Sequence, residues 1–325
     1  MKYIRHHFIP ALLAALLLLA PRPAAADSAP QRPADARISV LATTYPVWLL
    51  TRAVACDVPA VDVQLLIAAA TGCPHDYAPT PADLLRLEKA QLVIINGLGM
   101  ESALQAALAQ RAGDVLDCGA HLHDQLATYA ASMPAACEGH HHHHDHAAEC
   151  GPNPHIFAGP RLAVAMTGII ADELARRDPA HAERYRANAA RFAEDMAAQL
   201  RRLERLAAPD NPPRVILQHD GLAYFAADAG LKVLDIVQED DERPTASRLM
   251  ELLARIRAEK PELLLAEAQF ADKTMFTLAG EGGTPLLQLD SLASGREDVP
   301  ADHYVRTMRE NINRLEESLA RPRSF

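Results

Sequence analysis

Short apolar runs alternate with helical stretches along this chain. The alternation is interrupted once, by a stretch from Ala180 to Ala207 that holds no glycine or proline. Strands that follow one another through a helix pair in parallel, so the pattern predicts parallel sheets covered by helices. Before the interruption the predicted strands are Ile38–Ala42, Val61–Ile67, Leu92–Ile95 and Val115–Cys118, with helices over Pro46–Ala55, Pro81–Lys89 and Glu101–Gln110. After it they are Val215–Leu217, Val233–Val237, Leu263–Ala266 and Leu286–Leu289, with helices over Ala223–Asp228, Ala246–Glu259, Lys273–Ala279 and Asp302–Leu319. A further helix is predicted over Pro160–Arg176, and Thr44 and Thr80 stand ahead of Pro46 and Pro81 as helix caps. In the long stretch, Tyr185, Phe192, Met196, Leu200 and Leu203 recur at spacings that keep one helical face apolar. The expected architecture is α/β: two lobes, each a parallel sheet flanked by helices, joined by one long rigid linking helix. The expected boundaries are residues 27–178 for the first lobe, with a histidine-rich loop at about 121–152, then 179–208 for the linking helix and 209–325 for the second lobe.

The N-terminus stands apart from that core. Lys2, Arg5, His6 and His7 precede the apolar run Ala11–Ala20, and Ala24–Ala26 supply small residues for cleavage, so residues 1–26 read as a signal peptide. Its apolar run is too short to span a bilayer. No cysteine follows Ala26, so release without a lipid anchor is expected. Lys2, Arg5 and Arg22 leave with the peptide and no acid does, so the formal charge of −10 becomes −13. An acidic exported protein is a poor partner for nucleic acid or an anionic membrane. Export also makes the five cysteines (Cys56, Cys73, Cys118, Cys137 and Cys150) read as disulfides with one thiol left over. Cys137 with Cys150 is the favoured pair, because it closes a short loop around the histidine run between them. A competing role for Cys73, two residues before His75, is metal ligation.

Side chains that bind metals recur just past the ends of the predicted strands: His75, His155, His219, Glu267 and Asp290. Parallel sheets place ligand sites in the crevice beyond the carboxyl ends of their strands, so these groups could converge between the lobes. Three imidazoles and one carboxylate suit a four-coordinate zinc ion. Taken singly, each has a plainer explanation as a surface histidine, a helix cap or a solvated acid, and no HExxH or CxxC spacing ties them together. The Gly97-Leu98-Gly99 turn after a strand also suggests a nucleotide loop, but Ser102 stands where the third glycine would be. The other metal-binding feature is the run of His140, His141, His142, His143 and His144, with His146 one residue further on. Adjacent imidazoles on a loop lack a fixed surrounding and should bind weakly, as an accessory collector.

Several motifs, in order, resemble the zinc/manganese periplasmic solute-binding proteins of ABC transporters. They are Thr44-Tyr45-Pro46, Pro74-His75-Asp76-Tyr77, Asn96-Gly97-Leu98-Gly99-Met100-Glu101, Pro154-His155, His219-Asp220, Glu267-Ala268-Gln269-Phe270 and Leu289-Asp290-Ser291-Leu292. The resemblance implies a zinc-type member, since a histidine at position 219 favours zinc where glutamate favours manganese. It implies metal ligands at His75, His155, His219 and Asp290, with Glu267 and Asn153 hydrogen-bonding around them. Asn153 stands where the family usually has aspartate, and Gly159 replaces another common aspartate, a change expected to matter little. The implied function is not enzymatic. An exported monomer would capture Zn2+ in the periplasm and hand it to an inner-membrane ABC permease, with a periplasmic metallochaperone as a further partner. The alternatives are a periplasmic zinc buffer, a manganese-binding member and, from a different class, a zinc-dependent hydrolase. Ligation needs neutral histidines, so affinity should fall below about pH 6.5, the ordinary histidine value.

Overall fold

A computed structural model describes residues 37–72, 77–129, 151–206, 210–238, 244–270 and 273–321. Several expected features lie outside these residues: the signal peptide, His75 and the Cys137–Cys150 pair. The accessory histidines His140, His141, His142, His143, His144 and His146 lie outside them too. The first sheet comprises β1 (Ile38–Ala42), β2 (Val61–Leu65), β3 (Leu92–Ile95) and β4 (Val115–Asp117), in the order β2-β1-β3-β4. The second comprises β5 (Arg214–Leu217), β6 (Lys232–Ile236), β7 (Leu263–Glu267) and β8 (Leu286–Leu289), in the order β6-β5-β7-β8. Every pairing in both is parallel, as the strand–helix alternation requires. The two halves therefore repeat one topology.

The helices are α1 (Tyr45–Val54), α2 (Pro81–Lys89), α3 (Gln105–Ala109), α4 (His123–Tyr129) and α5 (Pro160–Arg177) in the first half. Next comes α6 (Ala182–Leu206), and the second half holds α7 (Ala223–Asp228), α8 (Ala246–Glu259), α9 (Lys273–Gly282) and α10 (His303–Ala320).

The strand period of two decides which core each side chain joins. Val40, Ile94, Val215, Leu217 and Leu265 turn inward to one cluster shared by both sheets, together with Met166 and Ile170 of α5, Phe192 and Met196 of α6, and Met308 and Ile312 of α10. Their alternates turn outward. Leu41, Val93 and Ile95 pack with Leu87 of α2, while Ile216 and Leu264 pack with Leu252 and Ile256 of α8 and Leu278 of α9. From Arg37 onward the chain forms one compact unit, because the inner face of each sheet buries against the other's helices.

α6 lies in that shared core, and its buried stripe differs from the expected one. Gln199 is buried and Leu200 only half-buried, so the stripe runs Tyr185, Phe192, Met196, Gln199 and Leu203. Gln199 accepts a hydrogen bond from Arg202 (2.9 Å), whose guanidinium also reaches Glu316 of α10 at 2.5 Å. Asn188 of α6 donates to the carbonyls of Val54 (2.9 Å) and Cys56 (2.7 Å), satisfying the C-terminal end of α1.

Thr80 forms a full capping box with Asp83, as expected, whereas Thr44 occupies the cap position of α1 without a side-chain capping bond. The helix predicted over Glu101–Gln110 begins with a 3₁₀ turn, Ser102–Leu104, and only Gln105–Ala109 is α-helical. α4 falls inside the span expected to be loop. Only Leu126 and Tyr129 of α4 are buried, too few for a periodic signal. Cys56 and Cys118 are both free thiols, so the expectation of a single leftover thiol is wrong. Cys118 is fully buried among apolar residues, and burial pushes its thiol well above the ordinary range, which leaves it inert.

Candidate metal centre

His155 and His219 come from different halves of the chain and meet edge to face, with ring centroids 4.9 Å apart and planes at 85°. Both follow the pattern expected of parallel sheets, since His219 lies just past β5 and His155 sits on the connection that runs beneath the end of β3. Asp220 joins them: its Oδ1 lies 3.2 Å from His155 Nδ1 and 3.2 Å from His219 Nε2. The ligand-type atoms of these three residues lie within 4.8 Å of one another, the one such group among the described residues.

His155 is 4% exposed and its ring is oriented by Asn153. Asn153 Oδ1 lies 2.8 Å from the His155 backbone N–H and 2.9 Å from its Nδ1, while Asn153 Nδ2 donates to the Asp220 carbonyl at 3.0 Å. An amide oxygen only accepts, so the proton belongs on His155 Nδ1 and the lone pair on Nε2, the arrangement a metal ligand needs. Asparagine therefore does the orienting work for which the family usually has aspartate, without bringing a charge. Tyr224 donates to the Asn153 carbonyl (2.9 Å), and its ring meets Tyr129 edge-on at 5.2 Å.

Gly159, expected to be a neutral replacement, is constrained. A Cβ there would lie 2.8 Å from Cβ of Tyr224, so aspartate at this position would displace the tyrosine that supports Asn153. Gly159 does cap α5, as expected, while the crowding that excludes a side chain there comes from α7, far away in sequence.

Glu267 ends β7, is 1% exposed, and brings Oε1 to 3.3 Å from His219 Nδ1. The Gly221 backbone N–H also points at that nitrogen, at 3.1 Å. Because that N–H donates, Nδ1 carries the lone pair here and the proton sits on Nε2, facing Asp220 Oδ1 at 3.2 Å. For Nε2 to ligate a metal the proton would move to Nδ1, where Glu267 Oε1 can accept it. Gly221 is required for this approach, since a Cβ would sit 2.6 Å from Glu267 Oε1. Glu267 thus stands beside His219, on the side of the ring away from Asp220.

Asp290 lies just past β8 but is not among the three grouped residues. Its Oδ1 accepts from the Leu292 backbone (2.7 Å) and from Gln269 Nε2, and its main chain is clasped by Asn311 at 3.0 and 2.8 Å. Burial raises its carboxyl above the usual range, partly offset by those donors. Asp220 is the carboxylate that sequence reasoning overlooked. The His219-Asp220 pair was visible as a motif, but only the histidine was assigned a role.

The Gly97-Leu98-Gly99 turn is not a phosphate loop. Its φ angles are +82°, +57° and +83°, and the carboxylate of Glu101 already occupies its entrance, accepting from the N–H groups of Asn96 and Gly97 at 2.8 and 3.1 Å.

The family model described as the zinc-uptake complex component A, periplasmic (ZnuA), matches residues 40–318. The high-affinity zinc uptake system protein ZnuA of Bacillus subtilis is 27% identical over 291 residues, covering 87% of this chain and 88% of that protein. The zinc-binding lipoprotein AdcA of Streptococcus pneumoniae is 27% identical over 308 residues, covering 89% of this chain but 57% of AdcA. The chain thus spans little more than half the length of the AdcA relatives it matches. Among solved structures, the SBP FpvC of Pseudomonas aeruginosa in complex with Mn2+ superposes with a TM-score of 0.69 at 24% identity, covering 87% of this chain and 98% of FpvC. Zn(II)-bound AdcA gives 0.66 at 24% identity, covering 88% and 58%. These likenesses concern the fold. With most of its length matched, the chain belongs to the ZnuA family of periplasmic zinc-uptake complex components.

Proposed function

We propose that this chain is a solute-binding protein, not an enzyme, whose cargo is Zn2+ and which passes that cargo to an ABC permease. The observation that carries this is the convergence of His155, His219 and Asp220 from separate parts of the chain at the carboxyl ends of the strands. Nitrogen donors with one or two carboxylates suit zinc. His155 and His219 are the ligands with the strongest support, His75 and Asp290 remain proposed ligands, and Asp220 joins them as a carboxylate within reach. His140, His141, His142, His143, His144 and His146 remain proposed as a weak accessory collector in the sequence before His155. The names of the B. subtilis and S. pneumoniae relatives, both zinc proteins, favour the same cargo. We further propose an exported monomer with residues 27–178 and 209–325 as lobes, and a metallochaperone as an additional partner. The word lipoprotein in the AdcA name stands against the expectation that the chain is released without an anchor.

A second cargo is favoured by one observation, because the FpvC structures of similar fold hold Mn2+ or Ni2+. Titration calorimetry with each metal separates the two. The expected result is a zinc affinity orders of magnitude above that for manganese, and its loss in His219→Ala. An unchanged zinc isotherm for His219→Ala overturns the proposal.

A further inference from the structure

We infer that Glu101 and Asn96 are positioning residues for the metal centre, holding His155 in place through the carbonyl of Pro154. The inference rests on the zinc-capture reading above. Glu101 is 6% exposed, lies in the first half and is not one of the grouped ligands. Three donors converge on its carboxylate: Thr43 Oγ1 at 2.7 Å, the Asn96 N–H at 2.8 Å and the Gly97 N–H at 3.1 Å. Thr43 follows β1 and Asn96 follows β3, so one buried acid ties together the carboxyl ends of two neighbouring strands. Asn96 in turn donates both amide hydrogens, to the Gly97 carbonyl at 3.1 Å and to the Pro154 carbonyl at 2.8 Å. Pro154 immediately precedes His155.

The arrangement carries strain. Leu98 adopts φ of +57°, a conformation that costs a non-glycine residue about 1 kcal/mol or more. Gly97 cannot carry a side chain, because a Cβ would run into the Asp117 carboxylate. A simple link from β3 to α3 needs neither feature. The strained turn does one thing that a relaxed one would not: it folds Glu101 back beneath the Asn96 and Gly97 N–H groups. That fixes the Asn96 backbone, and the Asn96 amide then fixes the height of the Pro154 carbonyl. Asn153 sets the rotation of the His155 ring, and Asn96 sets where the ring stands.

The test is Asn96→Ala, with Thr43→Val as a milder, nearly isosteric break in the same chain of contacts. Zinc affinity is read by chelator competition and the geometry at the metal by the visible absorption of the cobalt(II)-loaded protein. The expected result is a loss of roughly 10–100-fold in affinity for Asn96→Ala, with a shifted cobalt spectrum. Thr43→Val should weaken affinity less and shift the spectrum in the same direction. A lowered melting temperature with wild-type affinity and an unshifted spectrum would reduce both residues to a structural role and overturn the inference. If Asn96→Ala does not fold, Thr43→Val decides by the same two readouts. Should His219→Ala still bind zinc and cobalt as the wild type does, the zinc-capture reading itself has failed, an outcome that differs visibly from a silent Asn96→Ala.

Discussion

Tyr304→Phe removes one oxygen atom and tests whether the two halves are held together as described. Tyr304 lies in α10, is fully buried, and donates from its hydroxyl to the Phe157 carbonyl at 2.6 Å. Phe157 lies two residues beyond His155 and its ring meets that imidazole at 5.8 Å, so the bond crosses between the halves beside the candidate centre. Phenylalanine keeps the ring contact with Phe192, at a centroid distance of 5.5 Å, and leaves no cavity. Two effects remain. The lost hydrogen bond is worth about 1 kcal/mol, and the Phe157 carbonyl, buried and deprived of this donor, costs a further 1–3 kcal/mol or so. Relief from burying the hydroxyl offsets part of this, leaving a net destabilisation of about 2 kcal/mol. For a folded region of this size that corresponds to a fall of roughly 4–6 °C in melting temperature. Urea unfolding should show a lower midpoint with an unchanged slope, since the surface exposed on unfolding is the same. A change below about 0.5 kcal/mol would refute the reasoning, because it would mean that the carbonyl finds another donor and the seam is loose.

Gly159→Asp restores the residue common in the family and should nevertheless destabilise by about 1–3 kcal/mol through its clash with Tyr224; equal or greater stability in thermal unfolding would contradict this. Gly221→Ala should push Glu267 away from His219 and weaken zinc binding by about tenfold or more, so an unaltered calorimetric isotherm would count against the role given to Glu267. Glu101 supplies a pH signature. Burial raises its carboxyl from 4.5 to about 7, outweighing the three donors, with repulsion from Asp117 adding to the rise. The folded chain therefore keeps a proton that the unfolded chain releases, and stability is lost as pH rises from 4.5 towards 7, by about 3 kcal/mol at most. Glu101→Gln cannot ionise, so the wild type should lose stability relative to the variant across that window. A difference that stays constant with pH would refute the assignment.

The sequence by itself determined the fold class, because the short apolar runs and the strand–helix alternation are local properties that each segment carries without its neighbours. It also determined which histidines to examine, since positions such as His219 just past a strand are crevice positions in any parallel sheet. Its errors share a cause. Leu200 was expected in the buried stripe of α6 and Gln199 takes that place, because Arg202 and α10 supply a partner for a buried amide that no local pattern can reveal. Gly159 caps α5 as its sequence position implies, but that a side chain there would meet Tyr224 is invisible, because Tyr224 is not its neighbour in sequence. Asp220 went unassigned although it follows a chosen ligand, because a carboxylate becomes a candidate only when a second imidazole from the other half stands 3.2 Å away. Tertiary structure alone decided those three, as it decided that Glu101 fills the loop that resembled a phosphate site. Each depends on two segments distant in the chain being brought within hydrogen-bonding or contact range, and that proximity is created by the shared core.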